Sequence, residues 1–202
     1  MKTDIAADQV KQLREKTGAG MMECKKALSE AGGDVQKAQE ILRKRGIEIA
    51  QKKLGREAKE GRVFSYIHAG GKIASLVEIQ CETDFVAKCA DFELLGKDLA
   101  MQVAAVEAQY LSPEEAPADF VKKEKEILKA ASADQIKGKP DAMIEKIMEG
   151  KIKKRLEEIC LLDQKFIKDP NQTIRQLLTS VIAKVGENIR IRRFVRFEVN
   201  HD

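Results

Sequence analysis

The spacing of apolar residues changes period along this chain, and each change fixes the kind of element a segment can form. From residue 6 to about residue 46, apolar side chains recur every three or four positions. Around Val63–Cys81 they alternate. From about residue 87 to residue 182 helical spacing returns, and from Ile189 to Val199 the chain alternates again. Helices and strands therefore occupy separate blocks.

The first block reads as three short helices. One runs near residues 6–16, with Val10 and Leu13 on one face. It breaks at Thr17-Gly18-Ala19-Gly20, where two glycines permit a sharp turn. The second covers about residues 22–31, with Cys24, Ala27, Leu28 and Ala31 at helical spacing, and Gly32-Gly33 ends it. Asp34 caps the third. Lys37 stands where a capping box needs Glu or Gln, so that start signal rests on Asp34 alone. Val35, Ala38, Ile41 and Leu42 form its apolar face, and Gly46 is expected to stop it. Met21 and Met22 follow the glycine turn directly. Two adjacent residues cannot both join one core stripe, so one of them is either a soft contact residue or a cover for the turn.

Residues 47–60 form a charged, helical connector ending at Gly61. Val63, Ser65 and Ile67 then alternate with Phe64, Tyr66 and His68, and Gly70-Gly71 signals a hairpin. Val77, Ile79 and Cys81 alternate with Glu78, Gln80 and Glu82 on the return strand. Thr83-Asp84-Phe85-Val86 follows, at a strand-to-helix turn. Two readings compete there. Phe85 reads either as the first core residue of the helix, with Asp84 as its N-cap, or as an exposed wedge with an acid beside it. The local residues favour the cap. The next helix is expected to run to about Ala108, with Phe92, Leu95, Leu99, Val103 and Val106 buried.

Ser112-Pro113-Glu114-Glu115 starts a further helical section. Residues 120–131 and 143–161 read as two helices joined at Lys137-Gly138-Lys139-Pro140, an antiparallel hairpin with a solvated charged face. Asp169-Pro170-Asn171 reads as a turn. Near Thr173 a last helix opens, with Ile174, Leu177, Leu178, Val181 and Ile182 inward and Gly186 at its end. In the final strand Ile189, Ile191, Val195, Phe197 and Val199 share one face, interrupted by Arg193. Arg190, Arg192, Phe194, Arg196 and Glu198 share the other. The arginines read either as a surface for phosphate or an acidic partner, or as charge guarding an edge strand. The second reading is favoured.

Composition narrows the functional classes. Charged residues are 35% and apolar residues 43% of the 202, which fits a globular chain able to bury a core. No apolar run approaches the roughly 20 residues that span a bilayer. Met1-Lys2-Thr3-Asp4 lacks an apolar signal core, so a cytoplasmic location and no membrane are expected. Cys24, Cys81, Cys89 and Cys160 form no Cys-x-x-Cys pair, and His68 and His201 are far apart in sequence. No metal site is expected. The cysteines read as small buried hydrophobes. A net charge of +4, with no Trp and two Tyr, argues against a dedicated nucleic-acid binder. There is no phosphate-binding glycine loop and no Ser/His/Asp set, so the chain reads as a non-enzyme without a cofactor.

Two long blocks resemble the translation elongation factor Ts family, nucleotide exchange factors of elongation factor Tu. One is Val10-Lys11-Gln12-Leu13-Arg14-Glu15-Lys16-Thr17-Gly18-Ala19-Gly20-Met21-Met22-Glu23-Cys24-Lys25-Lys26-Ala27-Leu28; the other is Cys81-Glu82-Thr83-Asp84-Phe85-Val86-Ala87. Residues 140–170 and Val185-Gly186-Glu187-Asn188-Ile189 also resemble family segments. The resemblance implies an α+β protein. Residues 1–54 would form a three-helix module similar to ubiquitin-associated domains. Residues 55–202 would form an α+β dimerisation domain, an antiparallel sheet plus helices, with a helical hairpin inserted at about residues 112–161.

For function, it implies that Leu13, Arg14, Met21 and Met22 dock on the nucleotide-binding domain of elongation factor Tu. Thr83, Asp84, Phe85 and Val86 would enter beside that partner's Mg²⁺ site. The chain would bind the GDP-bound and nucleotide-free partner, with no direct nucleic acid. Longer family members carry two core copies. The single Thr-Asp-Phe-Val turn here implies a homodimer in a 2:2 complex. The alternatives from other classes are an RNA- or ribosome-binding protein using the Arg190–Arg196 strand, and a scaffold for ubiquitin-like partners.

Overall fold

The computed structural model describes residues 5–199; His201 and the Met1-Lys2-Thr3-Asp4 segment lie outside that range. The chain runs α1 (Ala7–Thr17), α2 (Met21–Glu30), α3 (Val35–Lys53), β1 (Glu60–Ile67), β2 (Ile73–Cys81), α4 (Asp84–Ala87) and α5 (Ala90–Ala105). It continues through α6 (Ala118–Ala131), α7 (Ala133–Ile136), α8 (Asp141–Ile159), β3 (Lys165–Phe166), β4 (Asp169–Thr173), α9 (Ile174–Val185) and β5 (Ile189–Glu198). Strand order in the larger, antiparallel sheet is β1-β2-β5, and β3 pairs antiparallel with β4. The class is α+β, as the resemblance implied.

The chain divides into two compact units. One contains the chain up to Phe64 together with Glu78–Asp98 and Gln176–Arg192. Here Val10, Leu13, Cys24, Ala27, Leu28 and Ala38 form the shared core of α1, α2 and α3. Asp34 caps α3, its carboxylate accepting from the Gln36 and Lys37 N–H groups at 2.9 and 3.1 Å. Gly46 does not stop α3, which continues through it to Lys53. One interior glycine costs about 1 kcal/mol relative to Ala, too little to end a helix whose next turns still pack. In the same unit the Phe64 ring lies 5.9 Å from that of Phe92 and directly over Gly96, where a Cβ would overlap it. A helix-interior glycine is thus used for close approach.

The other unit contains Ser65–Val77, Leu99–Arg175 and the chain from Arg193 onward. The Ser75 hydroxyl donates to the Ala100 carbonyl at 2.6 Å, fixing β2 on α5. Buried Gln102 donates to the Lys165 carbonyl and accepts from the Ile167 N–H, which seats the β3–β4 hairpin. That hairpin turns at Ile167-Lys168, since Phe166 pairs with Asp169. Asp169-Pro170-Asn171, expected as a turn, therefore begins a strand. A strand in a two-stranded ribbon has a free edge on which proline loses no ladder bond. The hairpin of α6 and α8 is tied by Arg155 to Glu124 at 3.2 Å, so part of its charge is internal rather than solvated.

Alternation in β5 inverts at Arg192-Arg193. Before that point Ile189 and Ile191 are buried; after it Val195, Phe197 and Val199 are exposed and Arg196 turns inward. The single apolar face read from alternation is thus split into a buried first half and an exposed second half.

Candidate functional site

The site grows from the end of β2. Cys81 is the last buried residue of that strand. Thr83 then takes an extended conformation, φ −129° and ψ 156°, and its hydroxyl oxygen accepts from the Val86 N–H at 3.3 Å. Thr83, not Asp84, is the N-cap. Val86 and Ala87 face inward at 7% and 5% exposure, which forces Asp84 and Phe85 of the same single turn outward. Phe85 is 81% exposed. The core reading of that ring is therefore wrong: two small side chains fill the inner face of α4, and the phenyl group projects from a one-turn helix.

Asp84 does not point into solvent unpartnered. Lys88 donates to its carboxylate at 2.6 Å, one helical turn on. That hydrogen bond first, and the ammonium charge second, hold the Asp84 carboxyl below its usual range. The same contact raises the Lys88 ammonium. Both groups are surface groups, so the pair orients Asp84 more than it stabilises the fold.

The turn is fixed from outside by residues 183–188, in the same unit. Gly186 ends α9 at φ +77°, a left-handed conformation that glycine reaches without a Cβ clash. The next residue, Glu187, accepts from both donors of Thr83: the hydroxyl at 2.7 Å and the backbone N–H at 3.1 Å. Asn188 is buried. Its N–H donates to the Glu82 carboxylate at 2.6 Å, and its side-chain amide donates to the Arg56 carbonyl at 2.7 Å. The Cys81 thiol donates to the Thr83 carbonyl at 3.2 Å. Burial, then the neighbouring Glu187 carboxylate, pushes that thiol up to about 11, which leaves it inert at neutral pH.

Met21 and Met22 open α2 and are 45% and 66% exposed. Neither is a core residue; both cover the surface after the Gly18 turn. Arg14 is exposed on α1. Leu13 is fully buried in the three-helix core, which corrects the expectation that it meets a partner directly. Val86 is buried for the same kind of reason. The Gly18 turn lies against the Lys184 side chain, at 3.7 Å from a Cβ built on the glycine, and Lys184 pairs with Asp91 at the start of α5 at 2.6 Å. The end of α9 therefore braces both the methionine turn and the Phe85 turn. Nothing local in residues 183–188 signals that role; only the resemblance of Val185-Gly186-Glu187-Asn188-Ile189 to a family segment marked it.

The arginines of β5 are largely engaged. Arg190 donates to Gln80 at 2.8 Å and Arg196 to the Ala104 carbonyl at 3.1 Å. β5 is an edge strand, in keeping with charge as a guard.

Comparison with known proteins agrees over most of the chain. Residues 3–181 match the family described as Elongation factor TS. The Elongation factor Ts of Acetivibrio thermocellus is 58% identical over 194 residues, covering 96% of this chain and 89% of the relative. That of Desulforamulus reducens is 55% identical over 196 residues, 97% of this chain and 89% of the relative. An Anaeromyxobacter relative of the same name is 56% identical over 194 residues, 96% and 88%. With the family match spanning the Met21-Met22 turn and the Phe85 turn alike, the chain belongs to the elongation factor Ts family.

Proposed function

We propose that this chain acts in translation elongation as the guanine nucleotide exchange factor of elongation factor Tu. The observation that carries the reading is the 81% exposed Phe85 beside Asp84 on a turn held rigidly from several directions. An exposed phenyl ring gains about 1.5–3 kcal/mol by entering an apolar pocket, and its fixed turn adds little ordering cost. Arg14, Met21 and Met22 dock on the partner's nucleotide-binding domain, with Leu13 and Val86 supporting these contacts from the core.

Bound GDP is held by its phosphates and by the Mg²⁺ that neutralises them. Phe85 wedges into the partner beside that metal, and Asp84 competes for groups that order the metal's water shell. Phosphate charge is left poorly compensated and GDP leaves. No covalent bond changes. The factor binds the nucleotide-free partner more tightly than the GDP form, and by linkage GTP or GDP expels the factor in turn. Moving the partner from mostly GDP-bound to mostly empty needs about 10⁴-fold preference, roughly 5.5 kcal/mol, so several anchors must share it.

The chain works as a cytoplasmic homodimer in a 2:2 complex. Ile67, Leu76 and Phe197, on the three strands of one sheet, are 70%, 42% and 61% exposed, an apolar face suited to a second copy. Sedimentation tests this: Phe197→Lys is expected to shift the dimer to monomer, and an unchanged sedimentation coefficient counts against that face.

The deciding experiment mixes the chain with elongation factor Tu loaded with fluorescent GDP. Accelerated release at substoichiometric chain supports the reading; release at the intrinsic rate refutes it. The competing reading is RNA or ribosome binding through β5, which requires affinity that falls steeply with salt. Engagement of Arg190 and Arg196 within the protein weighs against it.

A further inference from the structure

We infer that Glu187 is a positioning residue for exchange, presetting the turn that presents Phe85 before any partner is met. That role rests on the exchange-factor reading above. Its basis is geometric. A four-residue helix cannot hold an exposed ring by its own hydrogen bonds, because one turn closes too few of them to offset the entropy of ordering it. The restraint has to come from elsewhere, and the structure supplies it from 104 positions along the chain.

Both oxygens of Glu187 are used, one on the Thr83 hydroxyl and one on the Thr83 N–H. The Thr83 hydroxyl gives its proton to the carboxylate and receives the Val86 N–H on its oxygen, so carboxylate, hydroxyl and helix N-terminus form one relay. Donating to a charged acceptor makes the hydroxyl oxygen a better acceptor in turn. The base of the relay is itself fixed, because Gly186 ends α9 on one side and buried Asn188 anchors the other on Arg56 and Glu82. Thr83 also accepts from the Ala87 N–H and the Cys81 thiol through its carbonyl. Each polar group of Thr83 is thereby committed to one orientation of the turn, and Asp84 and Phe85 leave it in a set direction.

Glu187→Gln tests the relay with little change of volume. An amide oxygen can accept from one Thr83 donor, but its NH₂ group faces the other. In the isolated chain the Val86 and Ala87 amides should exchange with solvent about fivefold faster, as expected for one lost hydrogen bond. With elongation factor Tu the maximal GDP release rate should fall about fivefold while half-saturation, set by the methionine turn, stays put. Thr83→Val with Glu187→Gln should be no slower than Thr83→Val alone, and Thr83→Ser should retain wild-type behaviour. Unchanged amide exchange, additive losses, or a change in half-saturation alone would overturn the assignment. A Phe85→Ala chain serves as the reference. If it is slow while Glu187→Gln releases GDP at the wild-type rate, the positioning role fails alone; if Phe85→Ala itself is at the wild-type rate, the wedge fails and takes this role with it, and if the unsubstituted chain gives only the intrinsic rate, the exchange reading fails.

Discussion

Truncating Phe85 to Ala separates folding from function because the ring is 81% exposed in the free chain. Only about one fifth of the side chain is removed from water by the fold. Full burial of a Phe is worth about 1.5–3 kcal/mol, so the fold should lose less than about 0.6 kcal/mol, within the range of ordinary surface substitutions. The remaining four fifths is what a partner can bury, about 1.2–2.4 kcal/mol. At about 1.4 kcal/mol per decade, GDP release stimulated by Phe85→Ala should slow by roughly 7- to 50-fold at saturating factor. Stopped-flow release of a fluorescent GDP from elongation factor Tu measures the rate, and thermal unfolding measures the fold. A release rate within twofold of wild type refutes the wedge. A stability loss of about 2 kcal/mol or more refutes the premise, since it would mean that the ring packs in the folded chain after all.

Met21→Ala with Met22→Ala should weaken complex formation in calorimetry more than it lowers the maximal exchange rate, because both side chains are exposed at the start of α2, on the proposed docking surface, and not on the Phe85 turn; unchanged affinity removes them from the interface. Gly96→Ala should destabilise the fold by about 1–3 kcal/mol in denaturant titration, although Ala is the better helix former, because the new methyl overlaps the Phe64 ring; a stabilised variant disproves that packing. The Asp84 carboxyl is held below its ordinary value of 3.8 by Lys88. A lowered folded value means that the charge and its pair persist above the ordinary carboxylate range and are lost only as pH falls through the lowered value. Exchange activity should therefore show no Asp84 titration between about pH 6 and 8, and Lys88→Gln should move the Asp84 inflection upward in an NMR titration. An inflection above 3.8 in the wild-type chain contradicts the pairing.

Much of the frame was readable from spacing. Val10 with Leu13, and Cys24 with Ala27 and Leu28, lie where a 3.6-residue period puts them, and all are buried. Asp34 caps as its residue type predicts, because a cap is a contact between neighbours in sequence. The misses share a cause: each depends on something distant. Gly46 and Gly96 carry no local sign that one lies inside a continuing helix and the other under an aromatic ring. The inversion in β5 is invisible to strict alternation, since Arg192 and Arg193 give no hint that the buried face changes there.

The turn itself shows the limit most clearly. Thr83-Asp84-Phe85-Val86 offers two capping side chains and two apolar ones, and residue type cannot say which of each pair is used. The choice is made by the inward packing of Val86 and Ala87, and by a carboxylate arriving from residue 187 that accepts from both Thr83 donors. Once Thr83 is taken as the cap, Asp84 is released to Lys88 and Phe85 has nowhere to go but outward. The outward direction of Phe85 is thus set by a long-range contact. A substitution at residue 187 should be felt at residue 85 even though the two are far apart in sequence.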